Sequence, residues 1–260
     1  MTVIETKPAR STPRAALAVT YAALCYLAFL VAFAWSVAFL ADTVVPRTVD
    51  SGGPAAPTWA AVVLDAALLG VFAVQHTVMA RQGFKGWLAG RLPAYVERST
   101  YVLASSAALG LVFWQWRPIP HVLWHVHGTV ARDAIWALYL LGWLWVTAMT
   151  YAIDHWDLVG IRQVRRFVRG TSEDPPAFAL PLPHQLVRHP MMVGFFPAFL
   201  AAPTMTGGHL LFAVLGCGYI LVGVRFEERD LNRAFPEYAA YAARTPRFLP
   251  RLTRSRLSRS

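Results

Sequence analysis

Five short clusters of this chain carry side chains able to move a proton or hold a charge. They are Gln75-His76, Arg98 with Tyr101, Asp154-His155 with Asp157, Arg188-His189, and Glu227-Glu228. Histidine is the side chain whose ordinary pKa makes it a base near neutrality, and a neighbouring carboxylate can orient it and raise its basicity. Each cluster sits where an apolar stretch begins or ends. Ionisable groups at that depth are costly and usually face a cavity, where they partner one another. Taken singly, each reads as an interfacial side chain or a helix-end salt bridge. Five at one depth read as a site.

The elements that position them are apolar stretches at 17–41, 58–80, 99–116, 134–153, 190–203 and 207–224. A membrane-crossing helix needs about 20 such residues. The fifth stretch is short and reads as one arm of a hairpin with the sixth, turning at Pro203 to Gly208. The expected fold is therefore an all-α integral membrane protein with five to six transmembrane helices. Leu158 to Val168 alternates apolar and basic residues at helical spacing, as an interfacial helix does. With the N-terminus in the cytoplasm, 21 of the 24 Lys and Arg residues face inward, leaving only Arg47, Arg117 and Arg132 outside. The positive-inside rule then predicts a multi-pass protein of the bacterial inner membrane, both termini and all five polar clusters cytoplasmic.

Composition agrees: 56% hydrophobic residues, 15% charged, and a mean hydropathy of +0.42 exclude an ordinary soluble domain. The net charge of +10 lies at cytosolic helix ends, where it meets anionic lipid rather than nucleic acid. Cys25 and Cys217 lie in apolar stretches without a CxxC pair, so neither a disulfide framework nor a thiolate metal site is expected. The first apolar stretch is too long for a signal-peptide core and should stay as a span. His121, His125 and His127 have spacing that a metal could use, but they lie on the other face. A wet outer loop is the expectation there, and no metal is expected. Asp65, alone in the second span, is expected to bond a neighbouring helix. Residues 1–16 and 251–260 read as tails, 17–250 as one membrane domain, and Gly83 to Pro93 and Glu173 to Pro176 as loops. Neither GxGxxG after a strand nor GxxxxGK[ST] is present, so a cofactor must be held by helix ends and a C-terminal cap.

Arg188-His189-Pro190-Met191-Met192-Val193-Gly194, an apolar run, Phe226-Glu227-Glu228-Arg229, then Tyr238, Tyr241 and Arg247-Phe248-Leu249-Pro250 form a pattern. It resembles the C-terminal half of the isoprenylcysteine carboxyl methyltransferase and phospholipid N-methyltransferase group. Met192 stands where that group usually has Tyr. With Gln75-His76, Glu97 to Tyr101, Phe113 to Pro120, Asp154 to Gly160 and Pro203 to Thr206, the chain looks like a narrower subgroup, the bacterial methanethiol S-methyltransferases. It departs from that subgroup at Asp154, commonly Asn, and at His184-Gln185, commonly Tyr-Arg.

The resemblance implies in-line methyl transfer from S-adenosylmethionine to a small volatile thiol, giving dimethyl sulfide from methanethiol. It implies a cofactor-binding half at 154–250, in which Gln163, Arg188, His189, Pro190 and Gly194 line the site. Glu227 or Glu228 would bind ribose or the amino group, and Leu249 and Pro250 would close the adenine side. The thiol must become a thiolate, because only the thiolate is a good nucleophile. His155 and His76 are the candidate bases, His155 slightly favoured for its flanking Asp154 and Asp157. Tyr101 is placed to bond the acceptor sulfur. Two alternatives stay open: a methyltransferase for a lipid-borne thiol, amine or carboxylate, and a non-catalytic subunit associated with heme or quinone.

Overall fold

The computed structural model describes residues 13–171 and 180–250. In chain order, α1 (Pro13–Leu40), α2 (Thr58–Ala80), α3 (Gln82–Ala89) and α4 (Ala94–Gln115) precede strand β1 (Val122–His125). Then come α5 (Thr129–Ile153), α6 (His155–Leu158), α7 (Ile161–Arg169), α8 (Leu182–Leu186) and α9 (Pro190–Leu200). Strand β2 (Thr204–Thr206) leads into α10 (Gly207–Ala234), and α11 (Tyr238–Arg244) follows.

Among the described residues, α1, α2, α5 and α10 are long and apolar enough to cross a membrane. The chain is an all-α multi-pass membrane protein. Helix α4 has 22 residues and so measures about 33 Å, matching a hydrocarbon core of about 30 Å. Its apolarity is diluted by Glu97, Arg98, Ser99, Thr100, Ser105 and Ser106, and it lies between α1 and α2. Helix α9 is shorter, at 11 residues. Proline punctuates these elements: Pro57 and Pro93 precede α2 and α4, and Pro190 opens α9, where its missing N–H costs nothing.

Five long helices and the shorter α9 close into a ring. α1 packs on α4, α4 on α2, α2 on α10, α10 on α9, and α9 on α5. The ring closes from α5 back to α1 through Tyr139, whose hydroxyl donates to the Val37 carbonyl at 2.5 Å, and Trp143 against Phe33 at 5.3 Å. At the α5–α9 contact Gly142 and Gly194 face each other. A Cβ on Gly194 would meet the Gly142 oxygen and the Trp145 ring at 2.8 Å, so only glycine lets these backbones approach.

One end of the ring is packed solid. Phe39, Val112, Phe113, Trp116, Tyr139, Trp143 and Phe212 are buried there, with Phe195 and Phe199 against them. This end is closed by an antiparallel ribbon that sequence reading missed: β1 pairs with β2, Val122 opposite Thr206 and His125 opposite Thr204. Thr206 also caps α10, accepting the His209 N–H at 3.1 Å, and its hydroxyl donates to Asp50 of the α1–α2 loop. Asp65 accepts the Arg117 N–H at 2.9 Å just past α4, the neighbouring-helix bond expected of it.

Several expectations need correction. The expected loop over Gly83 to Pro93 contains α3, because Phe84, Trp87 and Leu88 give it an apolar face despite two glycines. The expected wet outer loop at His121 to His127 contains β1, and the turn at Pro203 to Gly208 contains β2. Helix α1 starts at Pro13, inside the expected tail of 1–16. The rest of that tail, the 251–260 tail and the Glu173 to Pro176 loop lie outside the described residues. The interfacial helix divides into α6 and α7 at Gly160, whose φ is +86°. A Cβ there would meet the Ser99 N–H nitrogen at 2.6 Å. Val164 of α7 then packs on Ala18 and Ala22, and Phe167 stacks on Tyr95 at 3.7 Å.

The α5–α9 contact yields a stability prediction. Gly194→Leu should lower the thermal midpoint in detergent, at a cost of about 1–3 kcal/mol for overpacking. Gly70→Ala, where a Cβ meets nothing within 4 Å, should leave the midpoint unchanged or raise it. Equal midpoints for Gly194→Leu and the parent would contradict the close approach.

Candidate active site

The end of the ring opposite the ribbon carries all five polar clusters. The last turns of α2, α5 and α10 and the first turns of α4 and α9 meet here. Arg81 after α2 pairs with Asp230 of α10 at 2.5 Å, and Arg98 of α4 donates from Nε to the Leu158 carbonyl of α6 at 3.0 Å.

Glu228 is the centre of the largest cluster. It is 7% exposed and accepts from Arg188 Nε at 2.7 Å, Arg247 Nη2 at 2.6 Å and His189 Nε2 at 3.2 Å. Arg188 also donates to the carbonyls of Ala242 and Thr245 at 2.5 and 2.7 Å. The backbone N–H groups of Arg188 and His189 bond to the carbonyls of Pro246 and Arg247. The residues after α11 are thus laced to the start of α9, the expected C-terminal cap. The Glu228 carboxylate raises the Arg247 guanidinium above its already high ordinary value.

Sequence reading left Glu227 and Glu228 interchangeable; the geometry separates them. Glu228 has its oxygens occupied. Glu227 has a 54% exposed side chain, its carboxylate 3.4 Å from His189 Nδ1, and remains open to a ligand. Pro190 is buried, its carbonyl accepting from Trp145 Nε1 at 2.7 Å. Gly194 serves the α5 contact, and Leu249 is 78% exposed.

The second cluster lies on the ring's inner side. His76 of α2 reaches both neighbouring helices: Tyr101 of α4, hydroxyl 2.8 Å from Nε2, and Tyr219 of α10, ring centroids 6.3 Å apart. A residue that touches the helices on both sides of its own points inward. Ser105 lies 3.2 Å from His76 Nδ1, and Phe72 packs on its ring at 5.3 Å. Tyr219, whose hydroxyl bonds Thr77 at 3.1 Å, was missed from sequence because it lies within an apolar run.

His155 sits differently. Its Nδ1 is 3.0 Å from the Thr150 hydroxyl and its Nε2 is 3.0 Å from the Tyr26 hydroxyl. Thr150 already donates its only proton to the Thr147 carbonyl at 2.8 Å, so it must accept from His155. Nδ1 therefore carries the hydrogen, and Nε2 accepts from Tyr26. Tyr151 stacks on the imidazole at 4.3 Å. The expected partners do other work: Asp154 caps α6 through the Asp157 N–H at 3.1 Å and pairs with Arg162 at 2.5 Å, while Asp157 accepts from Gln163 at 3.2 Å. Asp154 is the extended cap residue before α6 and Asp157 lies two residues on, a spacing that does not share a helix face, so neither carboxylate reaches His155. Tyr26 and Thr150 had no signal in the sequence.

Buried polar atoms without a hydrogen-bond partner include Gln75 Oε1, Gln163 Oε1 and His184 Nδ1 at this end. Burial first, then the neighbouring His189, holds His184 below its ordinary pKa, so it is neutral. With the open Glu227 carboxylate the two amide oxygens are acceptors of the kind that an adenosine with a free ammonium group requires, and the neutral His184 ring accepts or donates at Nδ1 according to its tautomer. The residues present fit S-adenosylmethionine.

Burial also lowers the His155 pKa, opposed by the Asp154 carboxylate. The unfolded chain takes up a proton near pH ~6.5 that folded His155 resists, so stability is lost as pH falls through that value. The thermal midpoint should drop between about pH 7 and about pH 5, and His155→Gln should make that slope shallower. An identical slope in the variant would contradict the buried neutral imidazole.

Residues 64–246 match the family described as NnrU protein. A methanethiol S-methyltransferase of Mycobacterium tuberculosis (strain ATCC 25618 / H37Rv) is 51% identical over 90% of this chain and 96% of its own length. Methanethiol S-methyltransferase 2 of Bradyrhizobium diazoefficiens is 47% identical over 89% of each chain. Nurim of Bos taurus is 30% identical over 78% of this chain and 86% of its own. No solved structure matches. The chain belongs to the NnrU protein family and stands in one group with the proteins named methanethiol S-methyltransferase.

Proposed function

We propose that this protein methylates methanethiol to dimethyl sulfide with S-adenosylmethionine at the polar end of its helix ring, facing the cytoplasm. The relatives' names supply the substrate. The structural observation that carries the reading is the inward His76–Tyr101 pair at the same end of the ring as the Glu228 cluster. A proton acceptor and a place to hold a charged donor then lie at one end of one bundle.

When bound, S-adenosylmethionine supplies a methyl group on a sulfonium, open to in-line attack. Glu227, Gln163 and His184 offer it acceptors, and the 154–250 half of the chain forms most of its surroundings. Glu228 does not touch it. Glu228 fixes Arg188, His189 and the 245–250 segment, which set the shape of that half. Tyr101 meets the thiol and His76 takes the proton away from it. His155, with both nitrogens engaged, ties α1 to α5. The aromatic core above the site keeps water from the ribbon end out, and a small apolar thiol can arrive from the lipid. The basic groups at this end, including Arg81, Lys85, Arg91 and Arg162, support a cytoplasmic side for it by the positive-inside rule.

Membranes holding the protein, given methanethiol and S-adenosylmethionine, should release dimethyl sulfide into the headspace. His76→Gln should lower kcat by about 10²–10⁴-fold, the usual worth of a general base, while His155→Gln retains most turnover. The reverse ranking would return the base to His155. In calorimetric titration Glu227→Gln should weaken S-adenosylmethionine about tenfold without moving the thermal midpoint, the loss of one hydrogen bond to a charged group. Glu228→Gln should lower that midpoint, since it leaves two arginines without their carboxylate. Unchanged donor affinity in Glu227→Gln would reject its assignment.

A further inference from the structure

We propose that Arg98 holds the acceptor sulfur as a thiolate beside the Tyr101 hydroxyl, an inference that rests on the thiol-methylating reading above. Arg98 sits in the first turns of α4, its guanidinium carbon 5.2 Å from the centroid of the Tyr101 ring. The same ring carries at its edge the hydroxyl that lies 2.8 Å from His76 Nε2. One aromatic ring thus separates a fixed positive charge from a proton acceptor.

That charge has no carboxylate partner among the described residues. Other acids of this end are paired elsewhere, Asp154 with Arg162 at 2.5 Å, Glu228 with Arg188 and Arg247, and Asp230 with Arg81, while Asp157 accepts from the neutral Gln163 at 3.2 Å. Glu97 precedes it on the helix and faces another way. What Arg98 does bond is the Leu158 carbonyl, a single neutral acceptor that leaves most of its guanidinium hydrogens free. From the packed elements come His76 of α2, which bonds the same Tyr101, Tyr21 of α1, which bonds Thr100 at 2.9 Å, and Asp157 of α6, next to the Leu158 that Arg98 bonds. Among the described residues none of these forms an ion pair with it. A cation at membrane depth without a counter-charge is expensive, and the expense is offset when an anion binds.

The reaction generates one such anion at this spot. The thiol S–H bond breaks, its proton passing to the Tyr101 oxygen as the Tyr101 proton passes to His76 Nε2. The electron pair stays on sulfur, beside the guanidinium. That pair then forms the new S–C bond while the donor's S–C bond breaks, and the positive charge of the donor is discharged. Arg98 favours the ionised thiol throughout. An opposite charge at about 4–6 Å lowers a pKa by about 1–3 units, which at neutral pH is about 10- to 1000-fold more thiolate. Methanethiol has no acidifying neighbour of its own, so it is the kind of thiol that gains most.

The test is the pH dependence of kcat/KM for methanethiol, with S-adenosylmethionine affinity measured beside it by calorimetry. Arg98→Gln keeps a donor for Leu158 but no charge; Arg98→Lys keeps the charge. Arg98→Gln should lose about 10- to 1000-fold near pH 7 and recover by about tenfold per pH unit as the thiol ionises unaided, whereas Arg98→Lys stays close to the parent. Donor affinity should stay unchanged in both, which also reports that they are folded; Arg98→Met replaces Arg98→Gln if the latter does not fold. A loss equal at every pH, or no loss, overturns the proposal. A parallel loss of donor affinity also overturns it and gives Arg98 to the donor's carboxylate. Absence of dimethyl sulfide from the parent protein would instead sink the functional reading itself.

Discussion

A buried carboxylate with three basic partners holds the working end of this protein together. Glu228 would be costly so far from water if it stood alone, and Arg188, Arg247 and His189 make it tolerable. Removing one partner of a buried ion pair generally costs about 3–5 kcal/mol, because the charge left behind is uncompensated. The three partners come from the start of α9 and from the segment after α11. The C-terminal cap is therefore bound by charge to the membrane helices. The segments on either side of that tie, Arg188-His189 and 245–250, take their positions from it.

The ring has two unlike halves, and the difference explains where chemistry is possible. Toward the ribbon, Phe39, Trp116, Tyr139 and Phe212 fill the centre and leave a rigid, dry plug. Toward the other end, α2, α4 and α10 present His76, Tyr101, Tyr219, Arg98 and Glu228. The plug fixes the helix spacing, while the polar half supplies acceptors, donors and charge. Gly142 and Gly194 bring α5 and α9 into contact between the halves, so that a packing constraint in the apolar part sets the geometry of the polar part. Tyr26 and Thr150, closed around His155, do the same for α1 and α5.

Local pattern made much of this legible. α2 occupies Thr58–Ala80, as its apolar run demands, and the Arg-His-Pro segment and Glu pair do lie within hydrogen-bond reach across 39 residues of chain. Helix α10 continues beyond the apolar stretch to Ala234, because its last turns are held by Glu228 and Asp230 and not by apolarity. What stayed hidden depends on distant pairing. The β1–β2 ribbon joins segments about 80 residues apart, and neither alone alternates strongly enough to read as a strand. Tyr26 lies 129 residues from the imidazole that it bonds, and Tyr219 meets Thr77 over 142. The split roles of Glu227 and Glu228 follow from a helix turning about 100° between them, which sequence adjacency conceals.

Convergence of the helix ends on one donor site is tested most directly by hydrogen exchange of the purified protein with and without S-adenosylmethionine. Protection should rise together at 182–190, 225–230 and 240–250, with a smaller increase around 98–101, and should leave β1, β2 and the α1–α2 loop unchanged. Protection confined to the ribbon end, or to one of those segments alone, would contradict a single site at the polar end of the ring.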